Sequence, residues 1–259
     1  MPKLNVMLNF YYENDSDRRK ELEYCLISHL TNPEVDTVSI IIKKLDEDYI
    51  KSLDTENKTF RYFFDGRATY NHFFRISADF SGCVNLICNA DIFLDEKSAA
   101  LLKCFSWNLN TVMALSRWDL IDFPITGKDY QATLFNREDS QDTWVFKGSL
   151  PYFSKANFSI GIPGCDNSIA FVLKNSGYEV INPALDFQTY HLHLSKVRSY
   201  EIGKPHTKVS PPYLYLPVCS INKIPSKNIL YHFFYCRLQM AFSFLVGKVK
   251  RTYYVHWDV

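Results

Sequence analysis

The sequence predicts an α/β protein whose sheet is mixed but mostly parallel and is flanked by helices, with a helical appendage at the C-terminal end. Three observations carry this expectation. Apolar, β-branched runs alternate with stretches of helical period from Leu4 to about Ser116, and strands that alternate with helices pair in parallel through crossovers. Of 259 residues, 47% are hydrophobic and 22% charged, enough apolar surface for a sizeable core. Gly is scarce, at 9 residues, and neither G-x-G-x-x-G nor G-x-x-x-x-G-K-[ST] occurs, which argues against a glycine-rich phosphate cradle.

The elements follow in order. Leu4 to Tyr12 reads as a first strand, apolar on both faces. Arg18 to Leu30 has Leu22, Leu26 and Leu30 at helical spacing, and Asn32-Pro33 stops it. Val38 to Ile42 is a second, β-branched strand, and Asp46 to Leu53 suits a short helix. Residues 68–80 read as a helix, Val84 to Leu94 as the next strand, and Asp95 to Trp107 as the helix after it. Met113 to Ser116 is a short strand, and 119–143 is polar and irregular, a loop or hairpin region. A strand around Trp144 to Phe146, a helix around Asn167 to Ser176, and strands near Tyr178 to Ile181 and Gln188 to Leu194 complete the pattern. The character changes after about Tyr200: KPHTKVSPPYLYLP is a Pro-bearing linker, and 228–247 reads as one more helix. The expected division is therefore a domain over 1–200 and an appendage over 201–259.

Bulk properties narrow the function. The net charge is +1, so the molecule as a whole is not a basic nucleic-acid binder. The 7 Cys are odd in number and form no C-x-x-C, which favours reduced thiols over a disulfide framework or a zinc ribbon. The first apolar run is too short for a signal peptide, and nothing reaches the roughly 18 uninterrupted apolar residues of a membrane span. A cytoplasmic location is expected.

Several stretches are candidates for chemistry. In CNADIFLD, residues 88–95, an apolar strand ends in Asn89, Asp91 and Asp95. A carboxylate at the end of a buried strand costs free energy unless it is paired, hydrogen-bonded or holding a cation. On an extended chain Asn89 and Asp91 point the same way, which suits a hard divalent cation; Asp95 reads better as a helix N-cap. In GIPGCDN, Asp166 follows a Pro163-Gly164 turn, either as an N-cap or as a rigidly held general base. In QTYHLHLS, His191 and His193 share one face of a strand, opposite Tyr190, Leu192 and Leu194, and suit metal or phosphate. On a helix over 67–75, Arg67, Asn71 and Arg75 would form one stripe, either a solvated face or a phosphate contact. SRWD and SQDTWVFKG set Asp119 beside Trp118 and Asp142 near Trp144. Aromatic rings next to carboxylates suit sugars, and equally suit half-buried core positions.

Taken in order, N-A-D-I-F, A-L-S-R-W-D, S-Q-D-T-W-V-F-K-G, I-G-I-P-G-C-D-N and T-Y-H-L-H-L-S resemble a family of GT-A-fold glycosyltransferases found in bacteria and large DNA viruses, over roughly residues 3–200. That resemblance implies a GT-A-like (Rossmann-like) sheet with a nucleotide-diphosphate-sugar donor over its first strands. Asn89-Ala90-Asp91 stands where that fold has its D-x-D motif, so Asp91 would contact Mn2+ or Mg2+. Asn89, in place of the first Asp, is left for ribose or sugar. His191 or His193 would add a late metal or diphosphate contact, and Asp166 matches the position of an inverting enzyme's base. The end of the first strand, Phe10 to Glu13, with Phe10, Tyr11 and Tyr12, would hold base and ribose.

The implied activity is sugar transfer to an acceptor hydroxyl on a glycan or lipid-linked glycan. The alternatives are a nucleotidyltransferase or sugar-nucleotide hydrolase on a similar sheet, and a non-catalytic nucleotide- or sugar-binding module. The apolar segment 229–251, with Lys248, Lys250 and Arg251 at its end, suits a helix packed on the domain or on a second copy, or one lying on the inner face of a membrane.

Overall fold

The computed structural model describes residues 1–125, 129–195, 197 and 208–221. The helix expected over 228–247 lies outside the described residues. Met1–Ile224 forms one compact unit. No helix among the described residues is long and apolar enough to cross a membrane.

The chain opens with β1 (Leu4–Asn9), buried along nearly its whole length. It ends three residues before the expected limit of Tyr12, although Phe10 N–H still donates to Ile41 O. Helix α1 (Ser16–Thr31) starts at Asp15, whose carboxylate accepts hydrogen bonds from the backbone N–H groups of Asp17 and Arg18, and stops at Asn32. Strand β2 (Thr37–Ile42) leads through a 3-10 turn at Lys44–Asp46 into α2 (Glu47–Leu53). Strand β3 (Thr59–Phe63) was not expected from the sequence: TFRYF carries a central Arg, and as an edge strand it leaves Phe60 and Phe63 about half exposed. Helix α3 (Tyr70–Asp79) begins with a capping box between Thr69 and His72.

The expected single strand over Val84 to Leu94 divides. Strand β4 (Val84–Cys88) and β5 (Ile92–Leu94) belong to different sheets. Between them Ile92 N–H donates to Asn89 O, closing a turn. Helix α4 (Glu96–Cys104) is capped by Asp95, as the sequence indicated. Strands β6 (Thr111–Leu115), β7 (Trp118–Leu120), β8 (Ala132–Leu134) and β9 (Thr143–Lys147) come next. Helix α5 (Cys165–Asn175), β10 (Glu179–Ile181) and β11 (Thr189–His191) complete the order.

Seven strands form one sheet in the order β10-β6-β9-β4-β1-β2-β3, parallel except for β9, which runs antiparallel between β4 and β6. One face carries Leu4, Val6, Leu8, Leu86 and Val145 into a core closed by Leu22, Leu26 and Leu30 of α1 and by Leu102 of α4. On the other face Trp144 and Phe146 meet Tyr70 and Phe74 of α3 edge-to-face. A buried polar spine crosses the sheet there. Asn5 donates to Asn85 Oδ1 at 2.9 Å and accepts from Thr37 and Ser39, and Asn85 donates to Phe80 O and Gly148 O. With these bonds made, the spine is stable only in this strand register.

A second, four-stranded sheet, β5-β11-β7-β8, stands past the carboxyl ends of β4 and β6. Within it β11 pairs antiparallel with β5 and parallel with β7. Residues 208–221, which overlap the expected linker, are hydrogen-bonded along the unit: Leu214 N–H to Asn167 O, Leu216 N–H to Glu138 O and Cys219 N–H to Asn182 O, each at 2.9 Å.

Candidate active site

The small sheet assembles the candidate site from distant parts of the chain. Pairing of β5 with β11 sets His191 opposite Ile92, and Leu192 N–H donates to Asp91 O at 2.9 Å. Pairing of β11 with β7 sets His191 opposite Asp119. As a result Asp91, His191 and His193 each offer one ligand atom within 4.8 Å of the others. His191 Nε2 is 3.3 Å and His193 Nδ1 is 3.8 Å from Asp91 Oδ2.

The remaining nitrogen of each imidazole already has an acceptor. His191 Nδ1 lies 2.7 Å from Asp119 Oδ1, and His193 Nε2 lies 2.8 Å from Val197 O. A carboxylate or carbonyl can only accept, so Nδ1 of His191 and Nε2 of His193 each keep a proton there, and Nε2 of His191 and Nδ1 of His193 face the Asp91 oxygen. Two imidazole nitrogens, each oriented by a further hydrogen bond, and one carboxylate oxygen fit a divalent cation.

Charge in the site is balanced from within. Burial works against ionised Asp91, but His191 and Arg18 hold its carboxyl well below the usual range. Burial likewise opposes a charged His191, but Asp91 beside it and the bond to Asp119 raise it to about 9. Burial and the nearby Arg18 depress His193. The sequence reading missed Arg18. Its Nη2 is 2.5 Å from Asp91 Oδ2, while Nη1 reaches Glu21 Oε2 at 2.8 Å and Leu192 O at 3.1 Å. The signal was available: a cation in the first turn of a helix opposes the helix dipole and calls for a partner.

A second group lies along the chain from the first. Arg117, also missed, bridges Asp119 Oδ1 at 2.7 Å and Asp142 Oδ2 at 2.9 Å. Asn89 Nδ2 donates to Asp142 Oδ1 at 2.8 Å. Asn89 and Asp91 therefore face different partners, because the strand ends at Cys88 and the turn over 89–92 breaks the alternation that would have paired them. Gly161 faces Asn89 closely, since a Cβ there would lie 3.3 Å from its Oδ1.

Asp166 is the second residue of α5, and Gly164, in the left-handed region at φ +81°, takes the N-cap position instead. Its carboxylate lies 3.4 Å from the Tyr70 hydroxyl and 3.2 Å from Cys165 Sγ. Burial, and then the charge of Asp142, raise its pKa well above the ordinary carboxylate value.

The other sequence candidates are spread through the unit. Phe10 and Trp144 are core residues, 1% and 2% exposed, and Trp144 is closed off from any sugar-stacking role by α3. Asn71 is buried, and its amide both donates to and accepts from the Phe153 backbone. Arg67 precedes α3 and donates to Gly161 O at 3.4 Å, so it does not share a helical stripe with Asn71 and Arg75. Trp118 is half-buried and donates to Ala184 O at 3.0 Å. Tyr11 is half-buried, and Tyr12 is 45% exposed, lying under the Arg19 guanidinium and against Tyr49.

No protein-family model matches the chain, and no curated protein sequence matches it. Solved structures with a similar fold include a mannosyltransferase from Pyrobaculum calidifontis in complex with GDP-Man and Mn2+. It is 13% identical, over 73% of this chain and 56% of that one, with a TM-score of 0.45. A 4-diphosphocytidyl-2C-methyl-D-erythritol synthase is 14% identical over 80% of this chain and 95% of that one, with a TM-score of 0.44. The corresponding synthase from Anaerococcus prevotii is 15% identical over 56% and 70%, with a TM-score of 0.38.

Proposed function

We propose that the protein is a metal-dependent glycosyltransferase that moves a sugar from a nucleotide-diphosphate-sugar to an acceptor hydroxyl on a glycan or lipid-linked glycan. The observation that carries this reading is the convergence of Asp91, His191 and His193 within 4.8 Å at the carboxyl ends of a mostly parallel sheet, where α/β sheets bind ligands.

Asp91, His191 and His193 would hold Mn2+ or Mg2+, which offsets the negative charge that develops on a leaving diphosphate. Asp119 and Val197 keep both imidazoles turned toward that position. Asn89, steadied by Asp142, would contact the ribose or sugar. Asp166 receives the proton of the acceptor hydroxyl as its oxygen bonds to the anomeric carbon and the carbon–oxygen bond to diphosphate breaks. Such a direct displacement inverts the anomeric configuration. A raised pKa strengthens a carboxylate as a base for as long as it remains ionised at the working pH.

The test is a thermal-shift screen of nucleotide-sugars with and without Mn2+, because a ligand that binds the native state stabilises it by mass action. One donor that stabilises only with Mn2+, and not in Asp91→Ala, is the expected result. Stabilisation by no donor under either condition overturns the reading. With the donor in hand, Asp166→Asn should bind it normally and transfer no sugar; full activity would remove Asp166 from the role of base.

A further inference from the structure

We infer that Arg18 is a charge-exchange residue: it neutralises Asp91 before a cation binds, and turns its guanidinium to the donor diphosphate once a cation takes Asp91. The inference rests on the function proposed above.

A single oxygen is contested. Asp91 Oδ2 is the atom that Arg18 Nη2 approaches at 2.5 Å, and also the atom that His191 Nε2 and His193 Nδ1 face. A cation held by both imidazoles and this oxygen would sit beside a guanidinium that is only 7% exposed. Like charges repel strongly where water is largely excluded, so the two compete for Asp91.

Arg18 does not leave the site when it loses that competition. Its Nη1 is held by Glu21 Oε2 and Leu192 O. Glu21 is itself fixed by the N–H groups of Leu194 and Ser195, at 2.8 and 2.6 Å, and by the Ser195 hydroxyl at 2.9 Å. The anchor stays, and only the Asp91 bond changes hands. The Nε–H and the second Nη2 hydrogen meet no acceptor among the described residues. A planar fork with free donors matches phosphate oxygens. It stands on the first turn of the 16-residue α1, where the helix terminus itself favours an anion.

The exchange predicts effects of opposite sign in one variant. Arg18→Gln should bind Mn2+ alone several-fold more tightly, read as loss of the free Mn2+ signal in electron paramagnetic resonance. The same variant should bind inorganic pyrophosphate, with Mn2+ present, at least tenfold more weakly by calorimetry. Arg18→Lys should fall between wild type and Arg18→Gln in both. If Arg18→Gln does not fold, Glu21→Gln provides the test: with its anchor weakened, Arg18 presses harder on Asp91, and Mn2+ affinity should fall. Unchanged or weaker Mn2+ binding by folded Arg18→Gln, or unchanged Mn2+ binding by Glu21→Gln, overturns the exchange while leaving the metal reading intact. Absence of Mn2+ binding in wild type and in every variant overturns the metal reading itself, and the exchange with it.

Discussion

His191 Nδ1 stands 2.7 Å from Asp119 Oδ1, across the parallel pairing of β11 with β7. The two residues are far apart in sequence, and a backbone register brings them together. The contact holds one imidazole nitrogen as a donor and turns the other toward Asp91.

Removing that orientation should weaken the cation site without emptying it. Asp119→Asn is expected to lower Mn2+ affinity about 10- to 100-fold, the usual range for loss of a carboxylate behind a ligating His. Free Mn2+ measured by paramagnetic resonance checks this, with circular dichroism confirming the fold. Unchanged affinity would mean that His191 takes no part in holding the metal.

The polar spine should be essential for stability. Asn85 makes one bond to Asn5 and two to the carbonyls of Phe80 and Gly148. Asn85→Leu takes this partner from the Asn5 amide and Gly148 O, at about 1–3 kcal/mol for each, while Phe80 O keeps the Cys83 N–H. Urea denaturation should show a loss of at least ~2 kcal/mol. A loss near zero would mean that the sheet repacks around an apolar side chain.

Burial of His29 sets a pH dependence. The ring is fully enclosed, its Nε2 lies 3.0 Å from Ile92 O, and desolvation lowers its pKa to about 4. The unfolded chain takes up this proton near pH 6.5 and the folded one does not. Stability should therefore fall as the pH drops from about 6.5 to about 4, by at most ~3 kcal/mol from this residue. Denaturation at pH 7 and pH 5 in wild type and in His29→Gln measures it; the slope in this window should be shallower in the variant.

Gly164 permits a close approach. A Cβ on it would lie 2.9 Å from both Val209 O and the Tyr213 hydroxyl, and its φ is +81°. Gly164→Ala should cost about 1–3 kcal/mol in backbone strain and displacement of 208–221. Urea denaturation reads the stability, and faster proteolysis within 208–221 reads the displacement. Wild-type values in both would show that the segment yields without cost.

Much of the framework was legible in the sequence because it depends on local pattern. Apolar β-branched runs identified β1 and β2, and Leu22, Leu26 and Leu30 identified α1, since periodicity reports which face is buried. Asp95 was recognisable as a cap because capping is settled within one helical turn. Asp91, His191 and His193 were singled out because carboxylate and imidazole at the end of apolar strands need a reason to be there.

Only the tertiary structure decided how these residues combine. The pairing of β5 with β11 and of β11 with β7 is long-range, and it joins Asp91 to His191 and His191 to Asp119. The same assembly separated Asn89 from Asp91, because a turn after Cys88 interrupts the alternation that sequence spacing assumes. It buried Trp144 and Phe10, whose side chains alone suit a ligand surface as well as a core. It also revealed Arg18 and Arg117, whose partners Asp91 and Asp142 are distant in sequence. A side chain's chemistry is written in the sequence; which charges it meets follows from strand register and burial, and these are settled only when the whole sheet closes.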